Sequence, residues 1–407
     1  MKLISSPFSY NSINYLLLNS IAFCIPLSKV LVPVFIVLLC LTSILQFVQN
    51  KGTINTPINK LLYLPIVYYA LHVVSFFILH NKASAFDLEL KLSFVVVPLC
   101  FISNAILSTI NLRSVAQSLV IGCIAAIVLC VINAGYVYNY TFDTNSFFYS
   151  TLSYYHHPSY FAMYLSVGLL CVYYISNTAS NKWLWLNGTI AALFVVFIVA
   201  LGSKAGMLVI ALLSVVYLIN LKLSLTKLLL SAGLGLAVLI AVVYTSPLLR
   251  NRINEGYSSL TNTKAVDKTQ YVTTTDMRTL VWQDALILIK QKPLGYGTAN
   301  VNTALATQYI KSGNTQAAQK QLNAHNQYLQ TTLALGIVGL IVLLLLLFYP
   351  LGVLPPYTKT MYALCIGIVA FNLLTEAMFE TQSGVVFFVF MYCILVTHRY
   401  NQLRINN

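Results

Sequence analysis

Ala324-His325-Asn326-Gln327-Tyr328-Leu329 marks the point where a long polar stretch, Pro247 to His325, runs straight into an apolar run that continues to about Tyr349. Almost everything before Pro247 is apolar, and so is most of the chain beyond Asn326. Chains embedded in a bilayer keep their connections short, because irregular backbone cannot satisfy its hydrogen bonds against lipid, and long loops carry function more often than scaffold. The apolar runs on either side of this junction therefore decide the fold, and the junction itself is the first place to look for chemistry.

Of the 407 residues 58% are hydrophobic and only 8% charged, too few to cover the surface of soluble domains. The mean hydropathy of +0.79 fits a polytopic membrane protein. Crossing a hydrocarbon core takes roughly 20 apolar residues as a helix, whereas a barrel shows short alternating strands. Continuous runs fall near 10–28, 30–48, 61–79, 92–110, 115–137, 158–176, 184–201, 205–220, 228–246, 326–349, 360–376 and 383–398, which predicts twelve helices. The first run is expected to be a span and not a cleaved signal peptide, since only Lys2 precedes it and no A-x-A site comes after it. The expected fold is an all-α polytopic membrane protein of about 12 transmembrane helices with a large periplasmic loop containing amphipathic helices. Its segments are helices one to nine (1–246), the loop (247–325), and the last three helices with a cytoplasmic tail (326–407). The eight cysteines lie in apolar runs without a C-x-x-C pair, which suits buried small hydrophobes better than disulfides or metal ligands.

With both termini in the cytoplasm, ten of the 23 basic residues fall on cytoplasmic edges and only Lys29, Lys82, Lys91 and Lys204 in short external connections. This satisfies the positive-inside rule. The other nine basic residues lie in the long loop, against Glu255, Asp267, Asp276 and Asp284. A loop that is basic on the side where topology does not require it suggests an anionic partner, with phosphate the leading candidate.

Within the loop, Arg278 to Ile289 has apolar residues at helical spacing, an amphipathic helix at the outer membrane boundary that Trp282 would suit. Pro293 ends it, and Gly295-Tyr296-Gly297 makes a tight turn, either an ordinary helix stop or a set of backbone N–H groups offered to an anion. Thr298 to Asn323, rich in Ala, Gln, Asn and Thr, is a candidate for a second, polar helix. His325 is either an interfacial residue at the start of a span or a proton-transfer group, since an imidazole titrates near pH 6.5. No Ser-His-Asp pattern, nucleophile elbow or metal-ligand spacing accompanies it, which disfavours hydrolytic and metal-dependent schemes.

Lys204, in Gly202-Ser203-Lys204-Ala205-Gly206, is either a snorkelling anchor or a cation turned inward to a phosphate. Glu376 and Glu380 are the carboxylates near the last two spans, either solvated or orienting a basic site. His156-His157-Pro158 opens the sixth span, where the histidines could contact sugar; adjacent residues do not share a helix face, which weighs against a metal.

Taken in order, these segments resemble the O-antigen ligase and O-antigen polymerase superfamily of bacterial membrane glycosyltransferases. Ser203-Lys204-Ala205-Gly206 resembles its S-[RK]-x-G turn, and Arg278 to Trp282 with Pro293-Leu294-Gly295-Tyr296-Gly297 its R-x-x-x-W…P-x-G-x-G loop. Ala324 to Leu329 followed by Gly336-Ile337-Val338-Gly339-Leu340 resembles its H-N-x-x-L…G-I-x-G-L signature, and Glu376 to Glu380 with Gly384 a late acidic-glycine pattern. The resemblance implies about twelve transmembrane helices, a periplasmic loop over a cavity, and a glycan donor on undecaprenyl diphosphate. It implies no nucleotide sugar, metal or other cofactor, and no nucleic acid. Catalysis would fall to His325 and Arg278 and diphosphate binding to Lys204, Arg250 and Arg252, with Asn326, Glu376 and His157 supporting. Where many relatives carry arginine this chain has Lys204, a point charge instead of a bidentate fork.

The expected reaction is displacement at the anomeric carbon by an acceptor hydroxyl. Lipid A-core as acceptor makes the chain an O-antigen ligase, the favoured reading; a second lipid-linked repeat makes it a polymerase, and serine or threonine a protein O-oligosaccharyltransferase. A lipid-linked glycan transporter is the reading of another class, disfavoured by the near absence of charge within the spans. The expected location is the bacterial inner membrane, with the active site periplasmic.

Overall fold

The computed structural model describes residues 9–49, 56–79, 84–102, 104–107, 109–178, 184–220 and 274–405, with Gly233, Tyr244, Arg250, Asn251 and Asn254. Regular structure among them is helical. In chain order the helices are α1 (Tyr10–Cys24), α2 (Leu31–Gln49), α3 (Thr56–Leu79), α4 (Ser84–Lys91), α5 (Ser93–Ile102), α6 (Asn104–Leu107), α7 (Leu112–Thr141), α8 (Tyr149–Leu152) and α9 (Pro158–Thr178). The remainder are α10 (Leu184–Ala200), α11 (Lys204–Asn220), α12 (Thr274–Gln291), α13 (Val301–Lys311), α14 (Thr315–Gln319), α15 (Gln327–Val353), α16 (Pro356–Thr375) and α17 (Gln382–Ile405).

Six of the described helices are long and apolar enough to cross a membrane: α2, α3, α7, α9, α15 and α16. Apolar helices at Leu184–Ala200, Lys204–Ser214 and Gln382–His398 are shorter. These helices fit a multi-pass membrane protein. Of the expected run 228–246 only Gly233 and Tyr244 are among the described residues, and of the run 92–110 residues 93–102 and 104–107 are helical, so twelve spans are not established.

The chain divides into one unit of Met1–Ser118 with Val266–Asn407 and another of Leu119–Ala265. The first is built around α17, whose residues Val385 to Val396 are all buried. A helix apolar on every side can be buried on every side, and α3, α5 and α16 pack around this one. The outer helix α2 leaves Val34, Val37, Leu41 and Ile44 exposed, as a lipid-facing surface requires. Its contact with α1 includes a polar pair of bonds: Asn14 Nδ2 donates to Gln46 Oε1 at 2.7 Å and Gln46 Nε2 to Asn11 Oδ1 at 2.6 Å. In the second unit α9, α10 and α11 pack together, and a Cβ on Gly206 would lie 2.9 Å from both Ala162 and Ile198.

Helices α12 to α14 build a small core together with the start of α15. Met277, Leu280, Val281, Ala285 and Leu288 of α12 meet Val301, Leu305 and Tyr309 of α13, Ala317 of α14, and Leu333 and Ala334 of α15. Trp282, assigned from sequence to the membrane boundary, packs against this core with its Nε1 buried. Buried Asp284 ties α12 to α13 by accepting from Gln308 Nε2 at 3.3 Å and from Ser312 Oγ at 2.8 Å.

Helix α15 is broken at Gly336 (φ 68°, ψ −165°), and the Pro293 to Gly297 turn fills the break. In an unbroken helix the carbonyls of Leu333 and Ala334 would accept from the N–H groups four residues on. Here Tyr296 N donates to Leu333 O at 2.7 Å, Gly297 N to Ala334 O at 3.0 Å, and Ile337 N to Pro293 O at 3.0 Å. The orphaned groups of the break are thus paired by the turn, which buried backbone demands. Both glycines are needed for the approach: a Cβ on Gly295 would lie 2.5 Å from Gly336 N, and one on Gly336 2.5 Å from Leu294 C.

Candidate functional site

Three side chains from distant parts of the sequence meet at the junction that ends the loop. Nη2 of Arg278 donates to Oε1 of Glu376 at 2.6 Å, and Nδ1 of His325 lies 3.3 Å from Oε2 of the same carboxylate. Glu376 is 9% exposed, Arg278 28% and His325 29%, so the carboxylate is sheltered while both partners keep an open side.

Each residue is placed by a local cause. Arg278 follows Met277 on α12, whose residues 277, 281, 285 and 288 are sunk in the loop core; that register turns Arg278 out of the core. His325 has φ 43°, a left-handed conformation uncommon for residues other than glycine, and its N–H donates to Asn323 Oδ1 at 2.9 Å. Asn326 caps α15: its backbone is extended (φ −159°) and its Oδ1 accepts from Leu329 N at 3.1 Å. Gln330 Oε1 accepts from Ala324 N at 3.1 Å, pinning the residue before the histidine. Glu376 stands just past the end of α16, its N–H on Asn372 O at 3.0 Å.

The carboxylate loop between α16 and α17 is held further by Glu380, whose Oε2 accepts from Lys91 Nζ at 2.9 Å. Lys91, placed by sequence in an external connection, is 1% exposed and buried beside the loop. A Cβ on Gly384 would come 2.1 Å from Met378 O, so the loop rests directly on the first turn of α17.

Lys204, His157 and Arg250, also singled out from sequence, are described within the second unit. Lys204 is half-buried at the N-terminus of α11, after Ser203, whose Oγ accepts from Gly206 N at 3.1 Å. His157 caps α9: its Nδ1 accepts from Ser159 N at 3.4 Å. Exposed Arg250 lies over the Tyr244 ring, 5.4 Å from its centroid. Arg252 lies outside the described residues.

Chemically, a carboxylate on Nδ1 fixes the imidazole tautomer, so that Nε2 carries the lone pair able to accept a proton. The same carboxylate holds a guanidinium whose other N–H groups remain for an oxyanion. Sequence reasoning named all three residues but missed Lys91 and Gln327, whose contacts join positions far apart in the chain.

No curated protein matches the chain. Residues 189–344, which include Lys204, Arg278, His325 and the broken start of α15, match the family model described as O-antigen ligase. That match places residues 189–344 with the O-antigen ligase and O-antigen polymerase superfamily of membrane glycosyltransferases.

Proposed function

We propose that this protein is an O-antigen ligase, which moves a glycan from undecaprenyl diphosphate to a hydroxyl of lipid A-core on the periplasmic face of the inner membrane. The observation that carries the mechanism is the Glu376 carboxylate shared between Arg278 and His325. His325 Nε2 takes the proton of the acceptor hydroxyl as its oxygen bonds to the anomeric carbon. The bond from that carbon to the diphosphate oxygen breaks, and undecaprenyl diphosphate leaves with the electron pair. Arg278 meets the charge that grows on the leaving group, which accelerates transfer insofar as the contact is stronger in the transition state than in the bound donor. General-base assistance of this kind contributes about 10²–10⁴-fold. The roles given to Lys204, Arg250 and Arg252 in holding the diphosphate rest on the sequence resemblance.

Purified protein in liposomes, given an undecaprenyl-diphosphate glycan and lipid A-core, tests the acceptor. Glycosylated lipid A-core is the expected product. Longer lipid-linked chains with the acceptor unmodified would make the protein a polymerase, and either that result or the absence of both products would overturn the ligase reading.

A further inference from the structure

The six residues between α16 and α17 hold the carboxylate that joins Arg278 to His325, so the placement of this short segment sets the geometry of the site. Part of it is self-supporting: Glu380 N donates to Ala377 O at 3.1 Å and Thr381 N to Met378 O at 3.2 Å. The N–H of Phe379, at the centre of the turn, donates instead to Oε1 of Gln327 at 2.7 Å.

Gln327 is 0% exposed and lies in the first turn of α15, two residues after His325. Its Nε2 donates to Thr331 Oγ1 at 3.1 Å, and that hydroxyl is 3.0 Å from the Tyr68 hydroxyl of α3. These partners fix the amide's orientation, because a flipped amide would set its NH₂ against the Phe379 N–H and lose the acceptor. One helical turn thus presents the histidine and, two residues on, grips the loop that supplies the histidine's carboxylate. Leu329 and Tyr328 point to other partners, Tyr328 OH donating to Ala370 O at 3.0 Å.

We propose that Gln327 is a positioning residue for glycan transfer: its carboxamide registers the 376–381 loop against α15 so that Glu376 reaches Nδ1 of His325 and Arg278 together. The inference rests on the reading of His325 as the base. Gln327 does not touch the reacting groups, and its effect passes through Glu376.

Gln327→Met keeps the side chain's bulk and removes both amide partners. In the reconstituted transfer assay kcat should fall by about 10–100-fold, the scale on which small misplacements at a reacting centre act, with KM for the lipid-linked donor nearly unchanged. Combining it with Glu376→Gln should give a double variant no slower than Glu376→Gln alone, since both act on one contact. Losses that multiply, or wild-type kcat in Gln327→Met, would overturn the proposal. Should Gln327→Met fail to fold, Gln327→Glu decides: in its protonated form it keeps an acceptor for Phe379 and a donor for Thr331. Because either ionisation state keeps an oxygen acceptor for the Phe379 N–H, a folded Gln327→Glu should keep more of the parental kcat at the parental pH optimum than Glu376→Gln does, whereas a folded Gln327→Glu as slow as Glu376→Gln would overturn the proposal. His325→Ala, run alongside, separates the two ideas. Full transfer by His325→Ala removes the catalytic reading itself, whereas an inactive His325→Ala beside an unaffected Gln327→Met removes only the role of Gln327.

Discussion

His325 and Glu376, 51 positions apart in sequence, share a hydrogen bond of 3.3 Å from Nδ1 to Oε2, while the other oxygen of Glu376 holds Arg278 at 2.6 Å. A single sheltered carboxylate thus orients an imidazole and a guanidinium toward the same region. The loop that carries it is braced by Gln327 and by the ion pair of Glu380 with buried Lys91.

Glu376→Gln keeps the shape of the side chain and removes its charge. Transfer should fall at least about tenfold and by less than the roughly 10⁴-fold seen when the aspartate of a serine-protease triad is replaced. Steady-state rates at the parental pH optimum check this; a folded variant that transfers at the parental rate would show that Glu376 does not act through the histidine.

Gly295 and Gly336 face one another across the break in α15, and Gly313 provides their control. All three have positive φ, but an added Cβ at Gly313 meets nothing within 4 Å. Gly313→Ala should cost only the left-handed conformation, about 1–2 kcal/mol. Gly295→Ala and Gly336→Ala add backbone overlap, worth a further 1–3 kcal/mol or so. Thermal unfolding in detergent should rank the variants accordingly, and equal losses at all three positions would contradict the interlocked turn.

Asp284→Ala leaves Gln308 and Ser312 without the acceptor that joins α12 to α13. A loss of about 1–3 kcal/mol is expected, with faster proteolysis between Lys292 and Asn323. Unchanged proteolysis would show that the apolar core alone holds the loop.

Asp87 of α4 is held above the usual carboxylate range by burial, with Lys91 opposing the shift and Glu380 adding to it. A carboxyl raised in the folded state contributes its full stability below about pH 4, and that contribution is lost as the pH climbs through the folded value. Asp87→Asn cannot ionise, so its melting temperature should match the parent near pH 4 and exceed it at pH 7. A variant less stable than the parent at pH 7 would show that attraction to Lys91 outweighs burial.

Much of this was legible in the sequence for physical reasons. Apolar runs of span length announce membrane helices, and the polar interruption before Asn326 announced the loop and its histidine. Arg278, His325 and Glu376 stood out because charge and imidazole are conspicuous in so apolar a chain. The features that stayed hidden depend on tertiary pairing: Gln327 looked like one more polar residue at a helix start until Phe379 supplied its partner. The same holds for Lys91, whose burial needs Glu380, and for Gly336, whose helix-breaking φ is tolerable only because Pro293 to Gly297 pair with the freed backbone. The packing of Trp282 against the loop core was hidden in the same way, since that core is assembled from several separate helices.

In the proposed mechanism His325 accepts the acceptor's proton during transfer from undecaprenyl diphosphate. The most direct test is the initial rate of glycan transfer to lipid A-core by purified, reconstituted His325→Ala, with its folding verified by melting temperature and size-exclusion profile. A folded protein whose rate has dropped by about 10²–10⁴-fold or more is the predicted result. A folded variant that transfers at near the parental rate would contradict the account.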